Sequence, residues 1–264
     1  MIAAMGFRLL APELGFGAPR PDGWRSATSL GLVVLVGLTA SGKTTLLTRL
    51  EQRFGGGAIL PDRRWLTDQI ILPLYRKGRR LTNRIDRFKL SGRFRDEHPG
   101  GMAEILARLA LPRGIETAPV LFNGLRGENE IAYACRSLPR ARFIALTAPD
   151  FVRLRRLIER QDAFDKISTN KALASAAGEA VLADAGDLLA PAEIEELRLM
   201  LVHGRCALAD VAAKLAILRE ERRFYDPERT VAALRRAAPS RCLVIDTASE
   251  DIEAAAERAA AFIG

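Results

Sequence analysis

The chain has 264 residues, 48% of them hydrophobic, which is enough for the core of one α/β domain with an inserted helical unit. Its formal net charge is +8, a balance that suits an anionic ligand and equally suits plain solubility. The cysteines Cys135, Cys206 and Cys242 are scattered and the only histidines are His98 and His203, so neither a disulfide framework nor a nitrogen–sulfur metal cage is indicated, and a reducing cytoplasm is expected.

The opening residues MIAAMGFRLL lack the basic and long apolar regions of a signal peptide. No apolar run approaches the roughly 20 residues of a membrane span, so no membrane partner is expected. Residues 11–29 are rich in Pro, Gly and Ser, and residues 1–29 are read as an irregular lead-in to a domain over 30–264.

The apolar run from Leu32 to Val36 predicts a buried parallel strand. Leu46, Leu47 and Leu50 predict a helix from Lys43 to about Phe54, ended by Gly55, Gly56 and Gly57. Ala58 to Leu60 is a second strand candidate, closed by Pro61 and Asp62. A basic, largely helical stretch follows, and the Gly, Pro and charges of Ser91 to Gly101 read as a loop. Strands are expected at Val120 to Phe122, Arg142 to Thr147 and Leu243 to Ile245. Helices are expected at Gly101 to Leu111, Glu128 to Ser137 and Phe151 to Arg160. A long helical block runs from about Ser168 to Arg223 and is taken as an insertion over about 162–225. This alternation implies a parallel sheet with helices on both faces.

Gly37, Gly42, Lys43 and Thr44 fit G-x-x-x-x-G-K-[ST], after a predicted strand and opening a predicted helix. That context argues against a chance glycine turn. The loop implies ATP and Mg²⁺ as cofactors, with Gly37, Thr39, Ala40, Ser41, Gly42, Lys43, Thr44 and Thr45 around the phosphates. Lys43 is expected to face solvent and reach the β- and γ-phosphates, and the Thr44 hydroxyl to ligate Mg²⁺. The Asn170-Lys171 pair lacks the Asp of a guanine-reading NKxD loop. The third strand ends in Asn123-Gly124, without the acidic Mg²⁺ partner usual in motor ATPases.

On these residues the chain resembles the P-loop kinases of small molecules, the adenylate-kinase and shikimate-kinase type. Asn123-Gly124-Leu125-Arg126 is similar to the Asp-Gly-x-x-Arg that such kinases carry after their third strand, with Asn for Asp and the Arg one residue nearer. Arg156 and Arg160 look like the arginine pair leading into their lid, and Tyr225 with Leu243–Thr247 is similar to the return to the last strand. The resemblance covers roughly residues 32–264. It implies a three-layer P-loop fold with a five-stranded parallel sheet ordered 2-3-1-4-5, a helical lid-like insertion, and phosphoryl transfer from ATP to a bound acceptor. It also places an Asp after the second strand, near Mg²⁺ and the acceptor hydroxyl. Asp62 stands there, where it would equally serve as a helix N-cap.

The catalytic candidates are therefore Lys43, Asp62, Arg156 and Arg160, and the metal candidates Thr44 and Asp62. The segment after the second strand carries Arg76, Lys77, Arg79, Arg80, Arg84, Arg87, Lys89, Arg93 and Arg95. Arginine forks suit phosphate or carboxylate, so an anionic acceptor is expected, although a solvated basic face has the same composition. The acceptor-site candidates are Arg84, Arg87, Arg93, Arg95, Asp96, His98 and Arg126. A kinase of a small anionic metabolite or nucleotide leads. A nucleic-acid-directed kinase or ATPase is the alternative that the basic run supports, though Tyr75, Phe88 and Phe94 are few aromatics for stacking bases. A non-catalytic nucleotide-binding module is the alternative that Asn123 supports.

Overall fold

The computed structural model describes residues 2, 5–75, 84–115, 118–160 and 175–264, with the side chains of all but 84–89 and 175–177. In chain order its elements begin with strands β1 (Arg8–Ala11), β2 (Leu14–Phe16), β3 (Trp24–Ser26) and β4 (Leu32–Val36). Helix α1 (Lys43–Arg53) and strand β5 (Ala58–Ile59) follow, then α2 (Arg63–Leu66), a π-helical turn over Thr67–Ile71, α3 (Leu72–Tyr75), α4 (Arg84–Glu97) and α5 (Gly101–Leu106). Strands β6 (Leu109–Pro112) and β7 (Val120–Leu125), helix α6 (Glu128–Ser137), strand β8 (Arg142–Thr147) and helix α7 (Asp150–Glu159) come next. The chain continues through α8 (Ser175–Asp184), α9 (Pro191–Val202), α10 (Leu208–Phe224), α11 (Pro227–Ala237), β9 (Cys242–Asp246) and α12 (Ile252–Ile263).

The central sheet has the order β5-β7-β4-β8-β9, all parallel. Numbered within the sheet, that is the expected 2-3-1-4-5. Alternation along β4 explains why its whole run is apolar. Leu32, Val34 and Val36 join one core with Phe122, Phe143 and residues of α5, α6 and α11. Val33 and Leu35 join the other, with Leu46 and Leu50 of α1 and Ala255, Ala256 and Ala259 of α12. A strand buried on both faces needs apolar residues at every position.

Helices α7 to α10 hold a third core, with Phe151, Leu154, Leu157, Leu182, Leu197, Val211, Leu215 and Leu218. Ala40 of the P-loop packs against it, so this helical layer rests on the loop itself. Of the insertion expected over 162–225, residues 162–174 lie outside the described residues and the remainder is mainly helical.

Three expectations are corrected. The stretch over residues 8–26 is not an irregular lead-in: β1, β2 and β3 join β6 in an antiparallel sheet of order β1-β2-β6-β3. Strand β6 supplies the middle, pairing Phe16 with Leu109 and Arg25 with Leu111. The helix expected over Gly101 to Leu111 therefore stops at Leu106. The loop expected over Ser91 to Gly101 is helical as far as Glu97, because one internal glycine, Gly92, is tolerated within α4. Among the described residues no helix is long and apolar enough to cross a membrane.

Candidate functional site

Strand β4 delivers the chain into the loop Gly37–Gly42 at the C-terminal edge of the sheet, where open parallel sheets bind ligands. The Gly37 N–H donates to Leu125 O at 3.2 Å and the Ser41 N–H to Leu38 O at 3.3 Å, which closes the turn. Gly42 caps α1 with φ 90°, a left-handed conformation that glycine adopts without a Cβ penalty. Ala40 holds φ 61° without being glycine, a strain that the contacts around it must sustain. The first amides of α1, from Lys43 to Thr45, have no intrahelical acceptor, so they stand ready for an anion. Thr44 and Thr45 are exposed there. The Ser41 hydroxyl is buried against Gly37 without a hydrogen-bond partner among the described residues.

Lys43 is not solvent-facing as expected. It is 8% exposed, and its Nζ donates to Leu38 O at 2.6 Å. Burial, followed by the charges of Arg126, Arg153 and Arg160 and opposed by Glu221, lowers its pKa to about 7. The ammonium is folded back on its own loop, where among the described residues it has one carbonyl and no carboxylate partner in bonding range.

The P-loop opens onto a cavity of about 190 Å³. One wall is the loop, with Thr39, Ala40, Gly42, Lys43 and Thr44. A second is the start of α2, with Asp62, Arg63 and Arg64. The end of β7 supplies Asn123, Gly124 and Arg126, and the end of α7 supplies Arg160. The start of α2 packs against the end of β7 because Gly124 has no side chain: a Cβ there would lie 2.9 Å from the Arg63 Cβ. Gly124 is also the residue at which the β4–β7 register slips.

Asp62 caps α2, its Oδ1 accepting from the Trp65 N–H at 2.8 Å, and the same exposed side chain lines the cavity. Arg63 is committed elsewhere. It forks onto Glu130 with two bonds of 2.7 Å and donates to Gly124 O at 3.0 Å and to the Tyr225 hydroxyl at 3.2 Å. Glu130 also accepts from the main-chain N–H groups of Met102 and Arg126, so this ion pair ties α2, α5 and α6 together.

The other candidates are dispersed. Arg126 and Arg160 line the cavity, whereas Arg156 does not. Arg156 donates to Ala40 O at 3.2 Å and to the Thr247 hydroxyl at 2.9 Å, pinning the strained turn of the loop to the segment after β9. Arg95 stacks on the Phe224 ring at 4.4 Å and reaches the Tyr225 hydroxyl at 3.5 Å, and does not line the cavity. Arg93 pairs with Glu97 at 2.8 Å and lies over the Tyr75 ring, away from the cavity. Asp96 is exposed on α4 and does not line it either. His98 meets Glu104 at 3.1 Å and stacks on Phe94, a structural contact between α4 and α5. Arg84 and Arg87 lie on α4 and nothing is described of their side chains, while Arg76, Lys77, Arg79 and Arg80 lie outside the described residues.

The sequence reading missed Glu221 and the bonding of Arg153. Glu221, on α10, is 7% exposed and accepts from the Thr39 N–H at 3.1 Å, from the Thr39 hydroxyl, from Arg126 at 2.6 Å and from Arg153. Arg153, 1% exposed, donates to Thr39 O at 2.8 Å and to Asp150 at 2.6 Å. Burial pushes the Glu221 carboxyl up, but the guanidiniums of Arg126 and Arg153 and the Thr39 bond hold it below the usual carboxylate range.

The exposed Thr44 hydroxyl and the Asp62 carboxylate share the cavity with the loop amides. That set fits Mg²⁺, which keeps several waters and binds through one or two carboxylates together with phosphate oxygens. Among the described residues no group of three or more His, Cys, Asp or Glu is assembled to hold a metal.

Compared with known proteins, no family model matches the chain. No curated protein matches it. Among solved structures it is similar to a gluconokinase from Sinorhizobium meliloti 1021, at 14% identity over 88% of this chain and 91% of that one, with a TM-score of 0.40. A likeness at that level carries no argument about activity.

Proposed function

We propose that this protein is an ATP-dependent phosphotransferase, a kinase acting on a small anionic metabolite or nucleotide. The observation that carries the reading is the facing of two walls across one cavity. The P-loop with Lys43 forms one side, Asp62 and Arg64 form the other, and Arg126 and Arg160 stand at its margins.

Each group has a role in that chemistry. The amides of the loop and of the first turn of α1 would hold the phosphates, and Lys43 would leave Leu38 O for their oxygens. Mg²⁺, held by the Thr44 hydroxyl and Asp62, would supply neutralising charge to the phosphates when bound. Arg126 and Arg160 would compensate the charge on the transferred group, which in phosphoryl transfer is spread over three equatorial oxygens. Asp62 is also the carboxylate best situated to orient an acceptor hydroxyl. The exposed Arg64 on the same wall supports an acceptor that carries phosphate or carboxylate.

A screen of nucleotides, sugar acids and phosphorylated metabolites for acceptor-dependent ADP release tests this reading. One acceptor class should raise release well above the basal rate, and Lys43→Ala should abolish the rise. If phosphate release is independent of every acceptor and RNA stimulates it, the kinase reading fails.

A further inference from the structure

The anion that sits on the P-loop is the protein's own. The Glu221 carboxylate is bound by a main-chain N–H and a hydroxyl of Thr39 and by the guanidiniums of Arg126 and Arg153. These are the donor types that a phosphoryl group takes from such a site. Both peptide groups of Thr39 are engaged by the helical layer, its N–H by Glu221 and its C=O by Arg153. Arg126 lines the cavity, and Lys43 is near enough to feel the Glu221 charge while its own bond goes to Leu38 O. The carboxylate thus stands among the cations of the cradle at the end of the loop away from α1. The α1 amides would hold the inner phosphates and Lys43 would span the β- and γ-phosphates, which leaves this end for the terminal one.

We propose that Glu221 is an internal surrogate for the terminal phosphate of the nucleotide: it holds Thr39 and Arg126 while that position is free, and a triphosphate, but not a diphosphate, must displace it. This rests on the P-loop reading above. The physical reason is competition between two anions for one set of donors, because like charges at contact distance in a poorly hydrated site repel strongly. Glu221 therefore sets the balance between triphosphate and diphosphate affinity. It also lies beside the acceptor wall. The Tyr225 main-chain N–H donates to the Glu221 main-chain carbonyl at 2.8 Å, and the Tyr225 hydroxyl accepts from Arg63 at 3.2 Å, so Glu221 and the residue that abuts α2 share the last turn of α10, and a shift of that turn reaches both.

The test is equilibrium binding of ADP and of a non-hydrolysable ATP analogue to the full chain, without added metal. In Glu221→Gln the analogue should bind about tenfold more tightly than to the wild type, while ADP affinity changes less than about threefold. Equal shifts for both ligands, no shift, or weaker analogue binding overturns the proposal. Because Glu221 neutralises the buried Arg153, a readout on the unaltered chain accompanies it. The analogue should speed amide exchange over residues 217–225, and ADP should not. Slower or unchanged exchange with the analogue overturns the proposal. Failure of the wild type to bind ADP overturns the P-loop reading with it, whereas ADP binding with an unmoved ratio overturns only the assignment of Glu221.

Discussion

Glu221 and Thr39, 182 positions apart in the chain, are joined by two bonds, from the Thr39 main-chain N–H and from its hydroxyl to one buried carboxylate. Helix α10 is thereby fastened to the loop over Gly37–Gly42. The pair joins the helical layer to the loop that lines the cavity.

The acid limb of stability should report this carboxylate. Its folded pKa lies below the usual 4.5, so the folded state binds fewer protons than the unfolded chain just below that value. The stabilisation is therefore fully present above pH 4.5 and is lost as pH falls through the folded pKa. Urea unfolding of wild type and Glu221→Gln should show a stability gap above pH 4.5 that narrows as the solution is made more acid. A gap independent of pH would show that Glu221 gains nothing from its arginines.

Lys43→Ala should lose nucleotide binding without losing the fold. Its ammonium is buried with one carbonyl, and burial depresses its pKa to about 7, which marks the charge as a cost to the nucleotide-free protein. Thermal unfolding of the variant should occur at or above the wild-type temperature while ADP no longer binds. A large drop in melting temperature contradicts this account of Lys43.

Asp62 can be divided into its two roles. Asn caps helices about as well as Asp, so Asp62→Asn should keep the α2 cap and melt like the wild type. Its Mg²⁺-dependent turnover should nonetheless fall by an order of magnitude or more. Asp62→Ala should show the same loss and also give up about 1 kcal/mol of stability. Wild-type turnover in Asp62→Asn would move the metal role elsewhere.

Arg156 and Arg160 should separate in the opposite way. Arg156 holds Ala40 O and the Thr247 hydroxyl, so Arg156→Ala should lower the melting temperature by several degrees as the loop loses its brace. Arg160 is exposed at the cavity margin, so Arg160→Ala should melt normally and transfer phosphate more slowly. Equal melting temperatures for the two variants would contradict the bracing role.

The parts of this site that could be read from the sequence are those whose physics is local. The β4 run, the glycines of the loop and the first turn of α1 lie within about twenty residues, and each choice follows from backbone conformation or burial. The N-terminal sheet was hidden because Phe16 pairs with Leu109, and a three-residue strand among prolines and glycines gives no periodic signal of its own. Glu221 was hidden for a related reason. In Arg-Glu-Glu-Arg-Arg it looks like a charge on a solvated helix face, and only the packing of α10 on α7 turns it toward Thr39. Arg93 and His98 misled in the reverse sense. Their chemistry suits a site, but α4 carries them to Glu97 and Glu104 instead.

The central claim is that the terminal phosphate leaves ATP for a small acceptor held between the P-loop and the Asp62–Arg64 wall. The most direct measurement is the fate of a label on that phosphate when the protein is incubated with Mg²⁺ and a pool of anionic metabolites. The account predicts labelled organic product formed in step with ADP, absent in Lys43→Ala and strongly reduced in Asp62→Asn. Label recovered solely as inorganic phosphate, at a rate the metabolites do not change, would contradict it.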